Sequence, residues 1–269
     1  MQNNGRVVLI TSSGMTHHAI ANAIAGELNL VGILIHTSAS SPLPDFLTFL
    51  IRYTFTMMRG LYKQLTGDTL ATKVQKIETR LEKEATEYFQ GNVNYNYTDW
   101  PSGTYLYTTQ NINGADSIAQ LKEWRPDIGL VFGSPIIGEA LISIPRFGLL
   151  NFHSSLLPEY RGTRSEFWQV LNQRYDLCGS TVHFVDKGVD TGDIVLQRQQ
   201  ENAAGLDPYM LRVRNVLIAV ELLPLAAKLV LSGNANAQVQ STSATPTFKS
   251  SDITLEKRVQ VLRLLGHRI

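Results

Sequence analysis

The chain holds a single cysteine, Cys178, in 269 residues. One thiol excludes an internal disulfide and any metal site built from several cysteines, and it suits a reducing compartment. Cys178 itself is expected as a small buried apolar residue. Charge of one sign is also missing: 24 Lys and Arg stand against 23 Asp and Glu, a formal net charge of +1, so no extended nucleic-acid-binding field is expected. The most apolar run, Phe46 to Met58, is interrupted by Arg52 and falls short of the ~20 residues that span a bilayer. It reads as a buried or interfacial helix, and no membrane span is expected. Met1 to Arg6 does not read as a signal peptide, which leaves a cytoplasmic location as the expectation. Internal repeats are absent, and the only biased tract is the Ser/Thr/Ala-rich stretch at 241–247. His17, His18, His36, His183 and His267 show no ligand spacing with cysteine or paired carboxylates, so no metal is expected.

What is present is enough apolar material for one full core, with 43% hydrophobic and 17% charged residues. Val7-Val8-Leu9-Ile10 is a β-branched run that ends in Thr11-Ser12-Ser13-Gly14 before a helical pattern opens near Thr16, which predicts strand, turn and helix. Leu30 to Ile35 closes a β-α-β unit. Gly129 to Gly133 repeats the strand-then-turn pattern after a helix at about 114–124, and Phe147 to Phe152 and Ser180 to Val185 read as further buried strands. This alternation predicts an α/β fold, a doubly wound, mostly parallel, Rossmann-like sheet with ligands at the carboxyl ends of its strands.

The sheet pattern is interrupted at about 42–100 by a stretch that reads as two helices. Leu70, Val74, Ile77, Leu81, Ala85 and Phe89 form an apolar stripe on the second. That stripe packs on the body of the fold or, alternatively, serves as a homodimer face or a lid. After about residue 200 the pattern turns helical: Leu206 to Leu231 with Pro224 as a kink or break, a polar surface loop over Asn234 to Thr247, and a short last helix near Leu255 to Leu265. The expected division is a catalytic domain over 1–200 and a helical carboxyl-terminal extension over 201–269.

The densest chemistry lies in Asn-Phe-His-Ser-Ser-Leu-Leu-Pro-Glu-Tyr-Arg-Gly at 151–162. In an extended segment Asn151 and His153 point to one side, because side-chain direction has period two. An amide and an imidazole so placed can grip one carbonyl, the amide donating to an oxygen that gains charge and the imidazole trading a proton. The run at 179–193 ends in a turn carrying Asp190, Thr191, Gly192 and Asp193. Asp193 reads as an Asx-turn former, whereas Asp190 is the candidate carboxylate to orient His153 and stabilise its charged form. His183, inside a Val-His-Phe-Val run, reads as a satisfied core histidine.

Together, Asn-x-His-x-Ser-Leu-Leu-Pro-x-x-Arg-Gly at 151–162 and Val-His-Phe-Val-x-x-x-Val-Asp-Thr-Gly-Asp at 182–193 closely resemble the folate-dependent formyltransferases. That family includes glycinamide ribonucleotide, methionyl-tRNA and sugar-amine N-formyltransferases. The resemblance is strong over about 105–200 and weaker in the opening β-α-β unit. It implies that Asn151 is an oxyanion-stabilising amide, His153 the proton-transfer residue and Asp190 its supporting carboxylate, with 10-formyltetrahydrofolate as co-substrate. It further implies a pterin pocket built by two loops, Phe132-Gly133-Ser134-Pro135-Ile136-Ile137 and the segment carrying Asp186, Lys187, Gly188 and Val189. Ile136 and Ile137 could equally pack in the core, and Lys187 is expected to face solvent. Ser13 and Gly14, with Arg161, Gly162 and Thr163, are the candidate substrate-binding positions, Arg161 either anchoring its loop or meeting an anionic group.

Among acceptors, the loop Thr11 to His17 carries one glycine, less than a backbone cradle for a ribonucleotide phosphate uses. About 70 mostly helical residues follow the sheet, where a methionyl-tRNA enzyme would continue into a β-rich domain. Val7 opens the first strand almost at once, where a folate hydrolase would carry an additional amino-terminal domain. The resulting expectation is a small-molecule amine, foremost an amino sugar on a nucleotide. The alternatives are an amino-acid-derived amine or ribosylglycinamide phosphate, and, outside the transferases, a formyltetrahydrofolate hydrolase or a non-catalytic folate- or nucleotide-binding protein.

Overall fold

The computed structural model describes residues 5–38 and 69–269. The helix expected at 46–58 lies outside the described residues. The elements follow in the order β1 (Arg6–Thr11), α1 (Met15–Glu27), β2 (Asn29–His36), α2 (Leu70–Asn92), β3 (Tyr105–Thr109), α3 (Ala115–Trp124), β4 (Ile128–Phe132), α4 (Glu139–Ile142), β5 (Leu149–His153), α5 (Ser165–Leu171), β6 (Gly179–Phe184), β7 (Ile194–Gln199), α6 (Pro208–Leu231) and α7 (Leu255–Leu264). The strands form one seven-stranded sheet in the order β3-β2-β1-β4-β5-β6-β7. The first four pairings across it, from β3 to β5, are parallel, and β6 and β7 close it antiparallel.

Strand direction explains the strand sequences. β1 lies between two parallel neighbours under helices on both faces, and Val7, Val8, Leu9 and Ile10 are all fully buried, as expected for a continuous apolar run. Its alternate residues feed two cores: Val7 and Leu9 pack with α1 and α6, Val8 and Ile10 with Leu121 and Trp124 of α3. The chain winds outward from β1 to β3 and then crosses to β4 on the other side of β1. The order reverses between β1 and β4, and a crevice opens there at the carboxyl ends of the strands. β3, which no apolar run announces, pairs with β2 as the sheet edge and leaves Tyr105 and Leu106 exposed.

The helical extension shares the core of the sheet. Asp207 caps α6 by accepting from the Tyr209 and Met210 N–H groups, Pro208 occupies its first turn, and the helix runs through Pro224 to Leu231. Its buried face, from Val216 through Ala219, Leu223 and Ala227, joins α1 in covering one face of the sheet. The α2 stripe is spent on that body: Val74 and Leu81 meet Val259 and Leu262 of α7, and Phe89 reaches the main core. Only Leu70 at its start is exposed. Glu78 of α2 also binds the Arg258 guanidinium of α7. Because Phe89 is 1% exposed, Phe89→Ala is expected to cost about 3–5 kcal/mol of unfolding free energy. Urea denaturation should show a lower midpoint with an unchanged slope, and a loss below about 1 kcal/mol would contradict this packing.

Candidate active site

In β5, Leu150 and Phe152 enter the core under α1 and α6, which sends Asn151 and His153 to the opposite face. The antiparallel register with β6 sets His183 opposite Asn151 and Thr181 opposite His153. A polar strip results on one sheet face, and the turn between β6 and β7 brings Asp190 onto it. His153 Nδ1 lies 3.3 Å from Asp190 Oδ2, the Asn151 amide donates to Asp190 Oδ1 at 3.3 Å, and His183 Nε2 is 3.5 Å from Oδ1. The Gly162 N–H donates to Oδ2 at 2.8 Å.

Burial alone would raise the Asp190 carboxyl. The neighbouring His153, the His183 ring and the Gly162 N–H overcome that and hold it well below the usual carboxylate range. Asp190 is therefore a fixed anion at any ordinary pH. The proton positions around it follow from the partners. The Tyr160 carbonyl, 2.9 Å from His153 Nε2, can only accept, so Nε2 is a donor and Nδ1, beside Asp190, is the nitrogen left for proton exchange. By the same reasoning His183 Nδ1 donates to the Phe184 carbonyl at 2.8 Å, and its Nε2 accepts from Asn151 Nδ2 at 3.1 Å. The two acceptors on Nδ2 fix the orientation of the Asn151 amide.

A cavity of about 660 Å³ opens over this strip. Gly133, Ser134, Pro135, Ile136 and Ile137 form one wall, and Asp186, Lys187, Gly188 and Val189 another. Gly162 and Thr163 lie on a third, joined by Thr247 to Ser251. Ile136 is 79% exposed, so it projects into the opening rather than packing in the core, whereas Ile137 is buried against α3 and α4. The Ser134 hydroxyl is buried without a partner. Lys187 is exposed and pairs with Glu139 at 2.8 Å. Four candidate positions lie off the cavity wall. The Phe132 ring faces the other side of the sheet, against Phe152 and His17. Ser13 and Gly14 lie in the loop before α1. Arg161 sits behind the wall, with Nη2 donating to Gln240 Oε1 at 2.7 Å.

Two readings change. The Asx turn forms at Asp186, whose Oδ1 accepts from the Gly188 N–H and the Thr191 hydroxyl, because the flexible Gly188 stands at the position an Asx turn closes on; Asp193 contributes its carbonyl to the Phe184 N–H. His183 is a satisfied buried histidine, but one of its two partners, Asn151, belongs to the site, and the other is the Phe184 carbonyl. The stretch expected as a surface loop over Asn234 to Thr247 is tied to the site: within it Gln238 pairs with Ile194, and Phe248, just past its end, pairs with Gly162. A Cβ on Gly162 would lie 2.1 Å from the Phe248 carbonyl, at φ +97°, so only glycine fits there. His17, at the start of α1, donates Nδ1–H to Thr11 Oγ1, since that hydroxyl spends its own proton on the Phe132 carbonyl. Burial first, then the Arg212 and His18 charges, lower the His17 pKa to about 4. Cys178 is fully buried, and burial pushes its thiol up to about 12. Among the described residues no cluster of His, Cys, Asp or Glu could hold a metal, and no helix is long and apolar enough to cross a membrane.

The family model for the formyl transferase domain matches residues 63–223, and the chain belongs to that family. Methionyl-tRNA formyltransferase of Pelotomaculum thermopropionicum is 37% identical over 128 residues, 46% of this chain and 41% of that protein. The enzyme of the same name from Geobacter metallireducens is 31% identical over 155 residues, 56% and 49% of the two chains. The chain thus spans less than half the length of these curated relatives. Among solved structures, glycinamide ribonucleotide transformylase 1 of Symbiobacterium toebii has a TM-score of 0.58 at 15% identity, covering 90% of this chain and 96% of that one. A sugar N-formyltransferase from a Shewanella species has a TM-score of 0.58 at 15% identity over 97% and 87%. Both share the fold.

Because the native Asp190 carboxyl titrates below its unfolded value of ~3.9, its stabilising charge is complete above that value. It is lost as pH falls toward the native one. Urea titrations at about pH 5 and about pH 3 should therefore show wild type losing stability relative to Asp190→Asn on acidification; an unchanged difference would remove the paired carboxylate.

Proposed function

We propose that this chain transfers a formyl group from 10-formyltetrahydrofolate to a primary amine of a small molecule, and that Asn151, His153 and Asp190 carry the reaction. The observation that carries this reading is the convergence of Asn151 and His153 on Asp190, at the wall of one largely apolar cavity. The cavity also suits the donor. Its walls at 133–137 and 186–189 offer apolar side chains, backbone groups and the unpartnered Ser134 hydroxyl to a pterin ring. The donor supplies an activated formyl carbon, and the chain supplies the rest. The Asn151 N–H stabilises negative charge on the formyl oxygen as the amine adds. His153 Nδ1 moves the proton between the amine and the departing nitrogen, with Asp190 holding the ring and balancing its charge.

For the acceptor we propose an amino sugar carried on a nucleotide. The loop after β1 supports it over ribosylglycinamide phosphate: it has one glycine, Gly14, and the Ser12 hydroxyl is already spent on the Gly133 carbonyl. That leaves fewer donors than a glycine-rich cradle presents to a terminal phosphate. An amino-acid-derived amine is the second choice. Cytoplasmic residence follows from the same reading, since the folate pool and nucleotide sugars are intracellular substrates.

Incubation with 10-formyltetrahydrofolate and a panel of nucleotide-linked amino sugars, amino acids and ribosylglycinamide phosphate should add the mass of one formyl group to a sugar. Formate released without any acceptor would make the chain a hydrolase instead. His153→Ala is expected to lower kcat by about 10²–10⁴ and Asn151→Ala by about 10²–10³, both with donor binding retained in a direct titration. Full activity in either variant would refute its role.

A further inference from the structure

The segment 238–248 runs behind the site and reaches the cavity wall only at Thr247 and Phe248. At one end Gln238 exchanges two backbone hydrogen bonds with Ile194, each 2.8 Å; at the other, Phe248 takes the Arg161 carbonyl and returns its own to the Thr163 N–H, each 2.9 Å. Between these ties stands Gln240. Its Nε2 donates to the Asp190 carbonyl at 3.0 Å and to the Gly192 carbonyl at 2.7 Å, while its Oε1 accepts from Arg161 Nη2 at 2.7 Å. The amide orientation is unambiguous chemically, because a flip would set an oxygen against two carbonyls and an NH₂ against a guanidinium.

Asp190 needs such a brace. Its φ is +53°, a left-handed backbone that side-chain-bearing residues seldom adopt and that persists only where the surroundings fix it. The hydrogen bonds form a closed ring: Asp190 Oδ2 holds the Gly162 N–H, Gly162 follows Arg161, Arg161 holds Gln240, and Gln240 holds the backbone of Asp190. We propose that Gln240 is a positioning residue for the reaction, which keeps the Asp190 carboxylate against His153 by clamping the two carbonyls of its turn. This rests on the reading that Asp190 supports His153 during formyl transfer.

Gln240→Glu separates this role from simple anchoring of Arg161. A glutamate keeps an acceptor for the guanidinium and adds charge to the pair, but it turns lone pairs onto the Asp190 and Gly192 carbonyls. The expected result is a folded protein, by unchanged urea midpoint within error or by circular dichroism, with kcat lowered about 10- to 100-fold and the KM for the formyl donor nearly unchanged. Gln240→Ala should fall in the same range. In the absence of substrates the imidazole ¹⁵N shifts of His153, read at fixed pH, should change in both variants. Wild-type kcat in Gln240→Glu, or activity lost in Gln240→Ala but restored in Gln240→Glu, would overturn the proposal and leave Gln240 an anchor for Arg161. If the wild-type chain transfers no formyl group, the reading of the site fails on its own account, and the His153 shifts still decide: identical shifts in Gln240→Glu and wild type would overturn the positioning role.

Discussion

A carboxylate held under cover organises this end of the molecule. The Asp190 side chain is 12% exposed and carries its charge in a place where burial opposes charge. A buried anion is tolerated only when its oxygens find partners of opposite charge or hydrogen-bond donors. Here the partners come from different parts of the chain: His153 and Asn151 from β5 and the Gly162 N–H from the loop before α5, with His183 of β6 holding the Asn151 amide. None of these can move far without exposing an unpaired charge. The sheet register, the glycine at 162 and the ties of the 238–248 segment are all conditions for that one arrangement.

The same constraint explains the uneven legibility of the sequence. β1, α1, β2 and β4 are announced by apolar runs because parallel strands covered on both faces must be apolar throughout. α2 is announced by its stripe, and its packing on α7 follows from that stripe's need for cover. β3 is silent because an exposed edge strand has no core face to pattern. In the site, Asn151 and His153 were legible from period-two spacing alone, since they share a strand. His183 belongs to the same polar strip, but placing it there requires the antiparallel register of β5 with β6, which no local pattern encodes.

Gln240 and Phe248 were less accessible still. They act across separations of 50 and 86 residues from Asp190 and Gly162, from a stretch with no regular structure, so neither periodicity nor spacing marks them. A lone Phe248 in a Ser- and Thr-rich segment was the one available sign. It stacks on Tyr160 and Trp168, which shows why a polar loop should retain one large ring: it fastens the loop to the core behind the site. Conversely, Phe132 and Arg161 sit in motif-like runs yet turn away from the cavity, because alternation along β4 sends the first to the opposite face and Gln240 draws the second behind the wall.

The hydrogen bonds of the Asn151 amide bear on the proposed chemistry. Both amide protons are already engaged, one by His183 Nε2 and one by Asp190 Oδ1 at the longer distance of 3.3 Å. A formyl oxygen would have to take one of them in exchange. For a neutral carbonyl that exchange gains little, because it surrenders a charge-assisted bond to a carboxylate. As the oxygen becomes anionic the balance reverses, and the amide is drawn to it most strongly at the point where charge is greatest. Only the difference between the two states lowers the barrier, so the bond surrendered to Asp190 is subtracted from what this amide contributes, and the longer 3.3 Å contact is the one that costs least to exchange.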